Sequence, residues 1–366
     1  MKRSLRVGVI GYAHSHIDYH VNSFLKLGDQ VTWVASADNA PLIQPISEVR
    51  GTRIGWRREI EAKVPFGRIY EDWRAMLDNE QFDVMLVCAD NAMHGEVCEA
   101  ILRRGIHVIT EKPMADTLQQ ALRMVRAARE GNAHLVVNWP STWWPEVRHA
   151  YTLIQQGEIG HLFKVTHRNT DSLGPLSYGQ QMTDIERGYE WWYHEKAGGG
   201  AMLDYCCYGA CLSRWFFGAK ADAAWGIKAR FDGFFGDAED YATITARYPS
   251  GIAIVEGSWT TVNTGIPSGP IFYGTKGTLV IEKDRSLRTY ATRHKQDADK
   301  IHEVPPLPEG RQDIAQEFLH YLATGELHPT LDLPVNIDAM AMLDAGIRSA
   351  VSGKMEQVND KYWCIG

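Results

Sequence analysis

The sequence predicts an α/β chain: a Rossmann-type, doubly wound parallel sheet, then an α+β domain with a large, mainly antiparallel open sheet. Three observations carry this. From Leu5 to Val137, short apolar runs alternate with helical patterns. A glycine, Gly11, follows the first run and a carboxylate, Asp38, follows the second, which is the layout of a dinucleotide-binding unit. Beyond Asn138 the pattern changes to strands joined by tight turns such as Pro249-Ser250-Gly251. The chain divides accordingly into a nucleotide-binding domain, 1–137, and a substrate-binding and oligomerisation domain, 138–366.

Taken in order, Leu5–Ile10 is a strand apolar enough to be buried on both faces. A helix over Ile17–Leu27 carries Ile17, Val21, Phe24 and Leu25 at helical spacing. Gln30–Ala35 is a second strand that runs out to Asp38. That carboxylate lies ~27 residues after Gly11, near the offset of a group that binds the adenosine ribose. It would repel a 2′-phosphate, and no arginine follows closely, so NAD is expected over NADP. Residues 41–69 read as an irregular crossover. After it come a helix over Tyr70–Leu77, a strand Phe82–Cys88, a helix Gly95–Arg104, a strand Ile106–Thr110, a helix Thr117–Glu130 and a strand His134–Val137.

Ligands of such sheets lie beyond the carboxyl ends of the strands. Three ends therefore matter: Gly11–His16, Ala89–His94 and Glu111-Lys112-Pro113. At the first, Ala13 and His16 replace the second and third glycines of G-x-G-x-x-G; alanine still lets a backbone come near. At the third, Lys112 is either a solvated strand end or a cation aimed at the crevice. His14, His16 and His20 have a metal-like spacing, with Asp18 as the nearest carboxylate. A turn running into a helix is not expected to converge them, so no metal is expected, and His14 and His16 face the cofactor.

The second domain opens with a tryptophan-rich loop, Asn138–Pro145, and a helix over Glu146–Gln156. Strands are expected at His161–Thr170, Ala221–Phe231, Tyr241–Tyr248, Ile252–Trp259, Ile271–Glu282 and Leu287–Thr292. Between the first two lie a long aromatic segment, 171–196, and Ala197–Tyr208, AGGGAMLDYCCY. Its triple glycine lets the backbone bend and approach a ligand. The helix after it sets Asp204 and Tyr208 four residues apart, on one face. One face of the sheet needs a cover, and a partner subunit in a homodimer or homotetramer is expected.

Composition narrows the functions. The 366 residues are 45% apolar and 23% charged, with a net charge of −7. That leaves no basic footprint for nucleic acid, and no apolar run is long enough for a membrane span. The apolar part of the N-terminus is too short for a secretory leader. The six cysteines, including Cys364 and the adjacent Cys206 and Cys207, form no C-x-x-C pair. Reduced thiols and a cytoplasmic location are expected.

LRVGVIGYAHSH, FDVMLVCADNAMHGEVCEAILRRGIHVITEKPMA and AGGGAMLDYCCYGACLSRWFFG together resemble the Gfo/Idh/MocA family of NAD(P)-dependent oxidoreductases. The likeness continues through DYATITARYPSGIAIVEGSWT and IFYGTKGTLVIE. It implies that Lys112 of Glu111-Lys112-Pro113 lies beside the nicotinamide and the reacting hydroxyl. It also implies that Asp204 and Tyr208 are catalytic, with Tyr208 where many members carry histidine, as in the glucose–fructose oxidoreductase type. The family's T-P-N-x-x-H strand end is matched at Asn91 and His94, not at Ala89 and Asp90.

These assignments define a chemistry. A phenol titrates too high to be an efficient base at neutral pH, and a neighbouring ammonium favours its ionised form, so Lys112 tunes Tyr208. Asp204 orients the substrate hydroxyl. Trp143, Trp144, Trp191 and Trp192 offer flat faces to a sugar ring or an aryl substituent, and His194 is a second acid–base candidate. The expected activity is oxidation of a ring hydroxyl in a sugar, polyol or glycoside, with a bulky glycoside favoured. The alternatives are a glycoside-cleaving enzyme that uses NAD transiently and a non-catalytic NAD-dependent sensor. A purely structural Tyr208, on the stripe Tyr208–Cys211–Leu212–Trp215, is the plain alternative for that residue.

Overall fold

Ile10, Val87 and Thr110 end three neighbouring parallel strands at one level, because Ile10 pairs with Val87 and Val87 with Thr110. Everything that follows is placed by that alignment. The computed structural model describes residues 3–170, 174–175, 181–232, 235–262 and 265–358. Part of the expected aromatic segment (171–173 and 176–180) and Cys364 lie outside them.

The first sheet consists of β1 (Leu5–Ile10), β2 (Val31–Ala37), β3 (Arg68–Tyr70), β4 (Val84–Val87), β5 (His107–Thr110) and β6 (Leu135–Val137), in the order β3-β2-β1-β4-β5-β6. All five pairings are parallel. Val7, Val9, Ile10, the whole of β4, and Val108 and Ile109 are buried, as strands covered on both faces by helices must be. Helices α1 (His16–Leu25), α2 (Arg53–Lys63), α3 (Trp73–Asn79), α4 (Asn91–Leu102) and α5 (Leu118–Glu130) make the crossovers. The order reverses between β1 and β4, and the crevice opens there. Gly11 makes the turn out of β1 with φ +87°, and a Cβ at this position would meet the Cys88 carbonyl at 2.7 Å. Only glycine fits.

The stretch 41–69, expected to be irregular, contains α2 and β3. Its helix carries six charged residues in eleven, so little apolar periodicity shows. Trp56 and Ile60, four apart, are its buried stripe, and Thr52 caps it by accepting from Gly55 N.

The second sheet has nine strands in the order β14-β13-β12-β11-β7-β10-β9-β8-β15. They are β7 (Leu162–Asn169), β8 (Ala223–Ala229), β9 (Tyr241–Tyr248), β10 (Gly251–Ser258), β11 (Ile271–Gly274), β12 (Gly277–Ile281), β13 (Leu287–Tyr290), β14 (Lys300–His302) and β15 (Glu356–Gln357). All pairings are antiparallel except β7 with β10. The expected strand Ile271–Glu282 is a hairpin, broken at Gly274–Gly277. One face, with Ala242, Ile244, Ala246, Ala253 and Val255, lies buried. Helices Cys207–Phe217 and Leu333–Ser352 cover it so closely that a Cβ at Gly209 or Gly226 would collide with Val255 or Gly346. On the other face Trp225, Ile227 and Ile252 are exposed. The helix Ile314–Thr324 returns to the first domain, where Phe318 meets Phe24 and His107.

The three glycines bring protein, not ligand, close. A Cβ at Gly198 would lie 2.6 Å from Asn91 Cβ, and one at Gly199 would strike the Trp192 carbonyl. At Gly200, φ is +110° and a Cβ would lie 2.5 Å from the Glu239 carboxylate. That carboxylate accepts from Met202 N at 2.9 Å and so caps the helix that follows. Gly200→Ala is therefore expected to cost about 1–3 kcal/mol from backbone strain and the displaced cap. Thermal or urea unfolding measures it; a variant as stable as the parent would contradict this account.

Candidate active site

Lys112 follows β5 directly, and Asp204 and Tyr208 come from the second domain. The structure brings all three to one cavity of about 190 Å³. His14, Ser15 and His16 line it from the start of α1, and Trp191, Trp192 and Tyr205 from the second domain. Met202–Cys206 forms a wide π-helical turn before the regular helix Cys207–Phe217. Such a widened turn is frequent at functional sites. Here it presents Asp204, Tyr205 and Tyr208 to the same space.

Lys112 is only 5% exposed. Its Nζ lies 2.5 Å from Asp204 Oδ1 and donates to the Asp204 carbonyl at 3.0 Å. The other carboxylate oxygen, Oδ2, accepts from the Trp259 indole at 3.1 Å. Burial alone would push the ammonium down. Asp204 and then Tyr208 outweigh it, so the lysine titrates well above its ordinary value and stays a cation. The same Nζ stands 4.9 Å over the Tyr208 ring. Trp139 meets that ring edge-on and His167 stacks on it. Burial raises the phenol well above its ordinary range, and Lys112 opposes this without cancelling it. The expected downward tuning is thus present as a force but is not the net result.

Several expected contacts fall elsewhere. Trp143 points its indole to Asn138 Oδ1 at 2.9 Å, and Trp144 packs beneath Arg285. His194 Nε2 lies 2.7 Å from the Gly188 carbonyl. None of the three lines the cavity. Asn91 donates to the Gly198 carbonyl at 2.8 Å, which ties the two domains together. His94 is fully buried between the Pro113 and Ala89 carbonyls, 3.1 Å from each. Ala13, expected to lie open beside the cofactor, is covered: its carbonyl accepts from the Trp191 indole at 2.8 Å. Met182, Ile43 and Trp192 join the same cluster.

Glu111 accepts from the Lys112 backbone N–H at 3.3 Å and turns its carboxylate to the histidines of α1. Its carboxylate lies 2.6 Å from both His16 Nδ1 and His20 Nε2. Burial would raise it, yet His16 foremost, with hydrogen bonds from both histidines, holds it well below the usual carboxylate range.

At the far end of the crevice Asp38 is bridged by Arg53, through Nε at 2.8 Å and Nη2 at 2.7 Å. The same buried guanidinium reaches Asp90 at 2.7 Å and Asn39 at 2.6 Å. Sequence reasoning missed Arg53 because its helix was missed. Trp259 was placed only as the end of a strand, and nothing in the sequence marked its indole as a partner of Asp204.

Two family models match the chain: the oxidoreductase family with an NAD-binding Rossmann fold over residues 5–139, and the Gfo/Idh/MocA C-terminal domain over 147–280. The chain belongs to the Gfo/Idh/MocA family. Among relatives, myo-inositol 2-dehydrogenase of Thermotoga maritima is 22% identical over 80% of each chain. The 1,5-anhydro-D-fructose reductase of Ensifer adhaerens is 25% identical over 77% of this chain and 82% of its own. Among solved structures, aldose-aldose oxidoreductase from Caulobacter crescentus superposes with a TM-score of 0.75 at 19% identity, covering 97% of this chain and 100% of that one. Levoglucosan dehydrogenase in complex with NADH and levoglucosan gives 0.73 at 19%, covering 98% and 100%. The structural likenesses show the shared fold.

As a Gfo/Idh/MocA oxidoreductase, the chain has NAD as its cofactor. The residues at the crevice fit it. Asp38 stands at the end of β2, where the buried Arg53 is engaged by Asp38, Asp90 and Asn39. The start of α1 and the Lys112 ammonium stand at the inner end. Among the described residues, no helix is long and apolar enough to cross a membrane.

Proposed function

We infer that this chain is an NAD-dependent dehydrogenase that oxidises a ring hydroxyl of a sugar or polyol to a ketone. The observation that carries this is the Lys112–Asp204 pair, buried beside Tyr208 at the wall of a cavity that the start of α1 also lines. The named activities of the relatives on inositol, anhydrofructose and levoglucosan support the substrate class.

Bound NAD supplies the hydride acceptor. When bound, it would lie along the crevice with its polar groups against Asp38 and the turn between β1 and α1. Lys112 remains charged and stabilises negative charge on the substrate oxygen. Asp204, fixed by Lys112 and Trp259, aligns the hydroxyl. Tyr208 exchanges its proton. The faces of Trp191 and Trp192 bound the ring.

The test follows NAD reduction across inositols, free sugars, anhydrosugars and aryl glycosides. Turnover with one of the first three classes and a ketone product supports the reading. Cleavage of a glycoside without net NADH would replace it with the glycoside-cleaving alternative, and NAD binding without turnover with the sensor.

Asp38 offers a separate check of the cofactor. Asp38→Ala removes the carboxylate and also frees two of the Arg53 N–H groups. The kcat/KM preference for NAD over NADP is expected to fall at least about tenfold, the effect of one charge-assisted contact. An unchanged ratio would refute the role of Asp38. The exposed face with Trp225, Ile227 and Ile252 is where a second copy of the chain packs in this reading, and light scattering of the purified protein tests it.

A further inference from the structure

The histidine turn does something its spacing alone does not suggest. His14 and His16 converge with Glu111, which β5 brings in from 95 residues away; their ligand atoms all lie within 4.8 Å of one another. His20 and Asp18, the partners nearest in sequence, are not part of the set.

We propose that His14, His16 and Glu111 form a binding site for one divalent transition-metal ion at the inner wall of the substrate cavity. Two imidazoles and one carboxylate are a donor set for zinc, cobalt, iron or manganese, whereas magnesium and calcium prefer oxygen alone. Three protein ligands leave positions open, and the two histidines line the cavity shared with Lys112, Asp204 and Tyr208. An oxygen of a bound hydroxyl compound completes the shell.

The support around the set is what a metal carboxylate needs. His20, fully buried, holds Glu111 Oε1 at 2.6 Å and leaves Oε2 to the His16 side. The Asn138 amide nitrogen points to the same group, 3.0 Å from His20 Nε2 and 3.4 Å from Glu111 Oε1. Its orientation follows from Trp143, whose indole can only donate and therefore claims Asn138 Oδ1. Such outer partners orient the ligands that touch the ion. His16 Nδ1 and Glu111 Oε2 already stand 2.6 Å apart, so the imidazole and the carboxylate face the same point. The inference does not depend on the roles given to Lys112 and Tyr208.

The test is titration of the NAD-free 366-residue chain with Co²⁺, read by its visible absorption and by calorimetry. One equivalent is expected to bind saturably, with a d–d band of low coordination number. Zn²⁺ is expected to displace it and Mg²⁺ to leave it in place. His14→Ala, His16→Ala and Glu111→Gln are each expected to weaken Co²⁺ at least tenfold. His20→Ala, a positioning variant, is expected to weaken it about 10–100-fold with the band shifted. The exposed His294→Ala is the control. Far-UV circular dichroism checks each fold, and His14→Asn serves if His14→Ala fails to fold. Absence of saturable binding, displacement by Mg²⁺, or wild-type affinity in a folded His14 variant overturns the proposal. NAD affinity measured on the same samples reports on the dehydrogenase reading separately.

Discussion

Lys112→Met is expected to lower kcat/KM for polyol oxidation by about 10²–10³, the loss typical of one preorganised group facing a developing oxyanion. The reason is electrostatic. Lys112 is the only lysine or arginine among the described residues that line the cavity, Asp204 holds it at 2.5 Å, and its pKa lies well above its ordinary value. It is therefore charged throughout the working pH range and cannot be the base. The methionine also strands Asp204. Breaking a buried pair from one side costs about 3–5 kcal/mol, and the low end applies because the Asp204 side chain is 21% exposed and keeps Trp259. Stability and activity must therefore be separated. In Lys112→Met with Asp204→Asn, the carboxylate charge is gone. Much of the stability is expected to return, while activity stays low. Lys112→Arg keeps the charge without fitting the Asp204 geometry and is expected to recover little. Activity of the methionine variant within tenfold of the parent would remove Lys112 from the chemistry.

The parts of this molecule that are legible in sequence are those set by local pattern. Leu5–Ile10 and Tyr241–Tyr248 are bounded as their apolar patterns predict. The alternation of strands and helices gives the parallel sheet, in which the ends of β1, β4 and β5 stand side by side. What is hidden depends on contacts between distant segments. α2 escapes because its exposed face dominates its composition, although Thr52 and the Trp56–Ile60 spacing are signals that a search for caps would find. Arg53 follows from that miss, and so does the expectation that no arginine stands near Asp38. The triple glycine reads as freedom to meet a ligand, but only the assembled structure shows Asn91, Trp192 and Glu239 filling that space. Likewise the histidine turn has Asp18 beside it in sequence, yet the carboxylate that converges with His14 and His16 is Glu111. The tryptophans divide the same way: Trp191 and Trp192 reach the cavity, while Trp143 and Trp144 are held by Asn138 and Arg285.

Tyr208→Phe is expected to reduce oxidation by about 10²–10⁴, the usual share of a positioned acid–base group, with NAD affinity near that of the parent. The phenol comes from the second domain, and its ring is fixed by Trp139 and His167. Removing one hydroxyl therefore leaves the cofactor side intact. The pH dependence follows from the direction of its pKa. Burial raises the phenol and Lys112 only partly offsets that, so it is protonated at neutral pH. A base works only in its ionised form. The oxidation rate is expected to climb with pH, about tenfold per unit, from neutral into the alkaline range. The reverse reduction uses Tyr208 as an acid and is expected to stay flat over the same range. Asp204→Asn weakens the hold on Lys112 and lets the ammonium act more fully on the phenol, so the alkaline limb is expected to move to lower pH in that variant. A pH-independent oxidation in the parent, or an alkaline limb that survives in Tyr208→Phe, would assign the proton to another group.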